Sequence, residues 1–199
     1  MDSALTSDVK GRRTFDEILA DRRGIFDAPH YRGQVEAIAG AIVAALLAGK
    51  KILWCGNGGS AAQAQHMSAE LSGRFLRERP GFASEALSVN TSTITAVGND
   101  YGFDDIFARQ VEAFAQRGDV VIALTTSGNS RNVVRALEAA KRKGAVAVAF
   151  TGNGGGAICG TADLVLSGPD GYSAIVQEVH LVMAHIVCDL TEQRILFGD

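Results

Sequence analysis

Five short runs of β-prone, largely apolar residues recur after Gly49: KILWC at 51–55, EALSV at 85–89, DVVIALTT at 119–126, AVAVAF at 145–150 and DLVLS at 163–167. Segments of helical period lie among them, at roughly 60–76, 104–116, 130–143 and 173–196. Strands separated by helices are joined by crossovers, not hairpins, and so run parallel. The runs are too continuously apolar for a sheet with one face in water, so helices must cover both faces. The pattern predicts a doubly wound α/β sandwich. Ligands of such sheets bind outside the carboxyl ends of the strands, which directs attention to the loops after the first three runs.

Before Gly49 the chain reads as helices. Phe15, Ile18 and Leu19 share one face, and Val35, Ile38, Ile42, Ala45 and Leu46 share another. The FDAPH segment at 26–30 breaks them apart, because Pro29 disfavours helix at Ala28. A chain of 199 residues, 47% of them apolar, buries one core but is too short for two ordinary α/β domains. Residues 1–50 are therefore expected to be a helical segment of the same domain as residues 51–199.

A net charge of −3 and a pI of about 5.8 argue against a nucleic-acid partner, which needs a basic stripe. An anionic ligand would have to be held by local groups. The first 23 residues are charged throughout and lack the apolar core of a signal peptide. The apolar stretch at 38–47 is too short to span a bilayer. Cys55, Cys159 and Cys188 are odd in number and widely spaced, as expected of buried thiols in a reducing compartment. A cytoplasmic protein with no membrane partner is expected.

The loop after the first run is GNGGS, Gly56 to Ser60 in number, followed by helix. Glycines let the backbone approach a ligand, and a helix start offers unpaired N–H groups to an anion. A tight turn with Ser60 as helix cap explains the same residues. The loop is neither a ribose-binding dinucleotide fingerprint nor a Walker loop, so nucleotides are disfavoured. After the third run comes TTSGNS at 125–130, with hydroxyls at Thr125, Thr126, Ser127 and Ser130 around Gly128. Four hydroxyls exceed what capping requires, and uncharged donors at a helix start suit a phosphate monoester that must also be released.

The helix after GNGGS carries His66 and Glu70 one turn apart on one face, with Arg74 a further turn on. Such a pair chelates metal, moves protons, or is simply solvated. The closing helix sets Gln177, Glu178, His180 and His185 in an apolar stretch, which fits either a buried site or a surface.

Together, GNGGS, the QHxxxE ending at Glu70, the GNDYGF at 98–103, the TSGNS at 126–130 and the QExHxxxxH at 177–185 resemble the phosphoheptose isomerases of the sugar-isomerase (SIS) family. The resemblance implies a five-stranded SIS-type parallel sheet with N-terminal helices, assembled as a homotetramer with active sites at subunit interfaces. It implies substrate contacts from Asn57, Gly58, Gly59, Ser60, Asn99, Asp100, Thr125, Thr126, Ser127, Ser130 and Gln177. It implies one zinc ion per subunit on His66, Glu70, Gln177 and His185, with Glu70 and His185 as the acid–base pair. His180, which lies between Gln177 and His185, is expected to be structural. The family has Ser where this chain has Thr125, which keeps the hydroxyl and adds a methyl. The implied reaction interconverts sedoheptulose 7-phosphate and D-glycero-D-manno-heptose 7-phosphate through an enediol, toward activated heptose synthesis.

Two rival readings share the fold. A non-catalytic adaptor that binds the replication initiator resembles the chain in GNGxS and the terminal QE, but lacks the residues standing here as Glu70 and His185. A sugar-phosphate-binding regulator is expected to carry a further regulatory domain, for which this sequence leaves no room.

Overall fold

The strands are β1 (Ile52–Gly56), β2 (Ser84–Ala86), β3 (Val120–Thr125), β4 (Val146–Thr151) and β5 (Leu164–Ser167) in a computed structural model that describes residues 13–198. They form one sheet in the order β2-β1-β3-β4-β5, every pair parallel. The helices are α1 (Phe15–Ala20), α2 (His30–Leu47), α3 (Gly59–Ser72), α4 (Thr91–Asp100), α5 (Ala108–Phe114), α6 (Arg131–Lys143) and α7 (Ser173–Phe197).

Side chains alternate across the strands and build two cores. Ile52, Trp54, Val120, Ile122, Leu124, Val148 and Phe150 face α2, α3 and α7. Leu53, Cys55, Val121, Ala123, Ala147 and Ala149 face α5 and α6. Both faces are covered, as the continuous apolar runs require. In α2, Val35, Ile38, Ile42 and Ala45 are buried in the first core and Leu46 packs beside it, so this helix belongs to the domain body. α7 is long and apolar enough to cross a membrane by length and composition. Its apolarity is explained by packing, since ten of its residues are buried in the fold.

Local chemistry fixes the ends. Thr14 and Glu17 close a capping box over α1. α6 ends at Gly144 in the left-handed region after Lys141, Arg142 and Lys143, which complement the negative end of the helix dipole. Phe15 stays 75% exposed, and Ile18 and Leu19 lie at 40%, so the apolar face expected on α1 is open in the single chain.

Four expectations need correction. EALSV contributes only its first two residues to a three-residue strand, Ser84–Ala86. The helix expected to 76 stops at Ser72, so Arg74 leaves its face and pairs with Glu78 at the surface. The helix expected from 104 starts at Ala108, after a 3-10 turn over Phe103–Asp105. Residues 91–100 form α4, which the sequence reading lacked. Its Thr, Ile and Val content favours strand, and its start is marked only by the Asn90 side chain accepting from Thr93 N–H at 3.0 Å.

Candidate active site

β1 delivers the chain into GNGGS. Gly56 is required there, because a Cβ would meet the Ser60 backbone at 2.9 Å. The N-cap of α3 is Gly58, at φ 56°, with no side-chain cap. Ser60, expected at the cap, is instead inside the helix and buried. The first turn of α3 thus keeps N–H groups that no side chain satisfies. Asn57 and Asn132 exchange two amide hydrogen bonds of 2.9 Å, tying the loop after β1 to the start of α6. Both side-chain groups of Asn57 are used, so its reach to a ligand runs through its main chain.

The loop after β3 is organised by its own hydroxyls. Thr125, buried, donates to Ser130 Oγ at 3.2 Å, which makes it a support for Ser130. Thr126 Oγ1 lies 3.2 Å from Ser173 Oγ at the start of α7. Ser127 Oγ accepts from Asn129 N–H at 3.2 Å. Ser130 is the N-cap of α6 but makes no side-chain capping bond. Two helix N-termini without side-chain caps, α3 and α6, therefore start at the two candidate ligand loops, the arrangement that receives an anion.

Further along, α3 and α7 bring three candidate residues together. His66 Nε2 lies 3.0 Å from His185 Nε2 and 3.2 Å from Glu70 Oε1. One donor atom from each falls within 4.8 Å of the others. Phe75 stacks on His185, with ring centroids 5.5 Å apart and planes at 15°. Burial lowers the His185 pKa from its ordinary 6.5, the charge on His66 lowers it further, and Glu70 opposes both. The net effect favours the neutral imidazole. Two nitrogens at 3.0 Å share either a proton or a cation. The donor set fits zinc: two imidazoles and a carboxylate suit the ion, and tetrahedral ligands at its usual bond lengths stand about 3.3 Å apart.

Gln177 is placed elsewhere. Its amide rests on Gly59, where a Cβ would come within 2.6 Å of Oε1 and 2.8 Å of Nε2. Gly59 precedes His66 by seven residues, roughly 10 Å along α3. The structure thus gathers His66, Glu70 and His185, and sets Gln177 at the glycine loop. Asn99 and Asp100 sit exposed at the end of α4, hydrogen-bonded to each other at 2.8 Å. Among the described residues no hydrogen bond joins them to the other candidates. His180 is fully buried, its Nε2 3.1 Å from the Thr151 carbonyl, and it joins neither group.

Residues 28–152 match the SIS domain family. The chain is 51% identical over 157 residues to the phosphoheptose isomerase of Rhodospirillum rubrum, covering 79% of this chain and 84% of that protein. It is 52% identical over 160 residues to the phosphoheptose isomerase of Geobacter metallireducens, covering 80% and 85%. The chain belongs to the phosphoheptose isomerase family of SIS-domain proteins. A solved phosphoheptose isomerase from Francisella tularensis superposes with a TM-score of 0.84 at 36% identity, covering 92% of this chain and all of that one. The five-stranded parallel sheet expected from the sequence is the fold of this family.

Sequence reasoning passed over part of this phosphoheptose isomerase framework. The loop after β4 is TGNGGG, with Gly154, Gly155 and Gly156 at positive φ. It packs so tightly behind TTSGNS that a Cβ on Gly128 would meet the Gly155 carbonyl oxygen at 1.9 Å. Between this loop and the start of α7 lies a cavity of about 320 Å³, lined by Thr126, Ser127, Asn129, Asn153, Asp170 and Val176 among others. The glycine run was the available signal, since it repeats the composition of GNGGS.

Proposed function

We propose that this chain interconverts sedoheptulose 7-phosphate and D-glycero-D-manno-heptose 7-phosphate. The observation that carries the reading is the meeting of His66, Glu70 and His185 between α3 and α7. Above them lie a glycine loop and a hydroxyl loop that open two helix N-termini without side-chain caps. Both residues missing from the adaptor pattern, Glu70 and His185, are in the cluster.

In this reading the phosphate is held by Ser127, Ser130 and Thr126 with the main chain of residues 57–59, supported by Thr125 and by the Asn57–Asn132 pair. Gln177 contacts the sugar from beside Gly59. Ser60, Asn99 and Asp100 stay assigned to substrate by resemblance. Glu70 removes a proton from C1 of the ketose while O2 is protonated, giving the enediol. It then returns the proton to C2 while O1 loses its own, giving the aldose. His185 serves the oxygens, since an imidazole both gives and takes a proton near neutral pH. His66 orients His185 and Glu70.

Zinc, when bound on His66, Glu70 and His185, supplies a Lewis acid that polarises the substrate oxygens. With three protein ligands the site resembles catalytic zinc centres, which keep an open position. Gln177 is the fourth ligand implied by resemblance, and its place against Gly59 favours the substrate role.

We further propose a homotetramer with interfacial active sites, in which residues 1–50 serve oligomerisation. The open apolar side chains of α1 and of Phe26, together with Val182 and Ile186 on α7, support it. Residues 1–12 lie outside the described residues. Three free cysteines, with burial pushing Cys55 and Cys188 up to about 12, suit a reducing cytoplasm.

Incubation of the purified protein with sedoheptulose 7-phosphate should produce the aldose phosphate. Glu70→Gln should fold normally and lose about 10²–10⁴-fold in kcat. A variant within tenfold of wild type removes Glu70 from the chemistry.

A further inference from the structure

Glu192 is fully buried near the end of α7, and among the described residues every hydrogen bond of its carboxylate goes to the segment 75–79. Its Oε1 accepts from Phe75 N–H at 2.8 Å and Arg79 Nε at 2.9 Å, and its Oε2 accepts from Leu76 N–H at 2.9 Å and Arg77 N–H at 3.0 Å. Three consecutive backbone donors thus converge on one carboxylate. Arg79, whose side chain is also fully buried, gives its other donors to the carbonyls of Glu70, Leu71, Gly73 and Pro80 at 2.8–3.1 Å. Those of Glu70 and Leu71 belong to the last turn of α3, which has no following turn to receive them.

A buried ion pair is weak evidence of stability, because desolvation offsets much of the attraction. What a fully satisfied pair does is fix one arrangement of the groups around it. Here those groups are the turn of α3 that carries Glu70 and the residues 75–77 that carry Phe75. Glu192 follows His185 by seven residues, two turns, so both project from the same side of α7. The helix that presents the imidazole therefore also presents the carboxylate that sets the ring stacked on it.

We propose that Phe75 is a positioning residue for His185, held in register by the Glu192–Arg79 clamp. The ring covers one face of the imidazole and fixes its plane, so that Nε2 stays directed at His66 and Glu70. The inference rests on the reading of Glu70 and His185 as the reacting pair.

The test uses Phe75→Leu, Phe75→Tyr and Glu192→Gln in the full chain, beside wild type and Glu70→Gln. Phe75→Leu should lower kcat about tenfold to a hundredfold, with KM within about threefold and the melting temperature near that of wild type, as loss of orientation predicts. Phe75→Tyr, which keeps the ring, should restore kcat to within about threefold. Glu192→Gln should show the same loss in kcat if it folds, and the Phe75 pair decides the matter if it does not. Full activity of Phe75→Leu overturns the inference, as does equal loss in the Leu and Tyr variants. An inactive wild type, or an active Glu70→Gln, overturns the functional reading instead.

Discussion

A single methyl at Gly59 separates the stability of α3 from the duty of Gln177. Gly59 is the first residue of α3 and lies outside the positive-φ glycines, so alanine is compatible with the backbone there. The new Cβ would nevertheless stand 2.6 Å from Gln177 Oε1 and 2.8 Å from Nε2. Ordinary contact requires the amide to withdraw by about an ångström, a displacement that costs a positioned group up to about a hundredfold. The α7 backbone does not follow readily, because the Gln177 carbonyl is held by Gln63 Nε2 at 2.6 Å and its neighbours Val176 and Val179 are buried. Gly59→Ala should leave the melting temperature unchanged or raise it by up to about 4 °C, the direction of a glycine replaced in a helix. It should lower kcat/KM for sedoheptulose 7-phosphate about tenfold to a hundredfold. Gln177→Ala should lose a similar amount, and the double variant should lose little more than either, since both act through one side chain. Additive losses, or a Gly59→Ala variant within threefold of wild type, would refute the assignment of Gln177 to the substrate.

Ser127→Ala and Ser130→Ala should each raise KM about five- to thirtyfold, the equivalent of about 1–2 kcal/mol of hydrogen bonding. Sedoheptulose without its phosphate should not distinguish these variants from wild type, and equal losses on both sugars would move the phosphate elsewhere. Elemental analysis of protein purified without chelator should find about one zinc per chain, and chelation should lower both melting temperature and rate. No metal, with added zinc changing neither, would leave Glu70 and His185 as an acid–base pair oriented by His66, without an ion. His180 gives a pH signature: burial holds its pKa at about 4 against an ordinary 6.5. The unfolded chain then binds the proton first, so stability falls as pH drops from about 6.5 to 4, by about 3 kcal/mol. Urea unfolding at pH 7 and pH 4.5 should show a smaller pH difference in His180→Gln than in wild type.

The sheet was legible because its strands are buried on both faces, and such runs have few other homes. All five positions expected for strands carry one, while EALSV kept only its first two residues because its neighbour β1 pairs it just over Ser84–Ala86. α4 was illegible for the opposite reason: none of its residues is buried, so it lacks the apolar periodicity by which helices are recognised. In the site, GNGGS and TTSGNS announced themselves by composition. Asn132 and Glu192 could not, since a single Asn or Glu in a helical pattern reads as solvent-facing, and only the fold brings it to a partner 75 or more than 110 residues away. His180, expected to be structural, is fully buried with its Nε2 at the Thr151 carbonyl.

Gln177 and His185 lie eight residues apart, roughly 12 Å along a helix. The structure turns that separation into a ladder. α3 and α7 run side by side in the same direction, so that Gln177 meets Gly59 while His185, two turns later, meets His66. A third rung follows where Glu192 holds residues 75–79, past the end of α3. The first rung lies beside the loops at the helix N-termini, and the second carries the proposed acid–base groups roughly 10 Å further on. On the proposed reading that interval is occupied by the substrate itself, its phosphate at the first rung and its reacting carbons at the second. The phosphate sits on C7 and the chemistry occurs at C1 and C2, so an extended heptose spans the two rungs and a shorter sugar phosphate would reach one at the expense of the other. Chain-length selection in this reading therefore comes from the register of two helices, which is fixed by the core residues packed between them and the sheet, and not from any single residue in contact with the sugar.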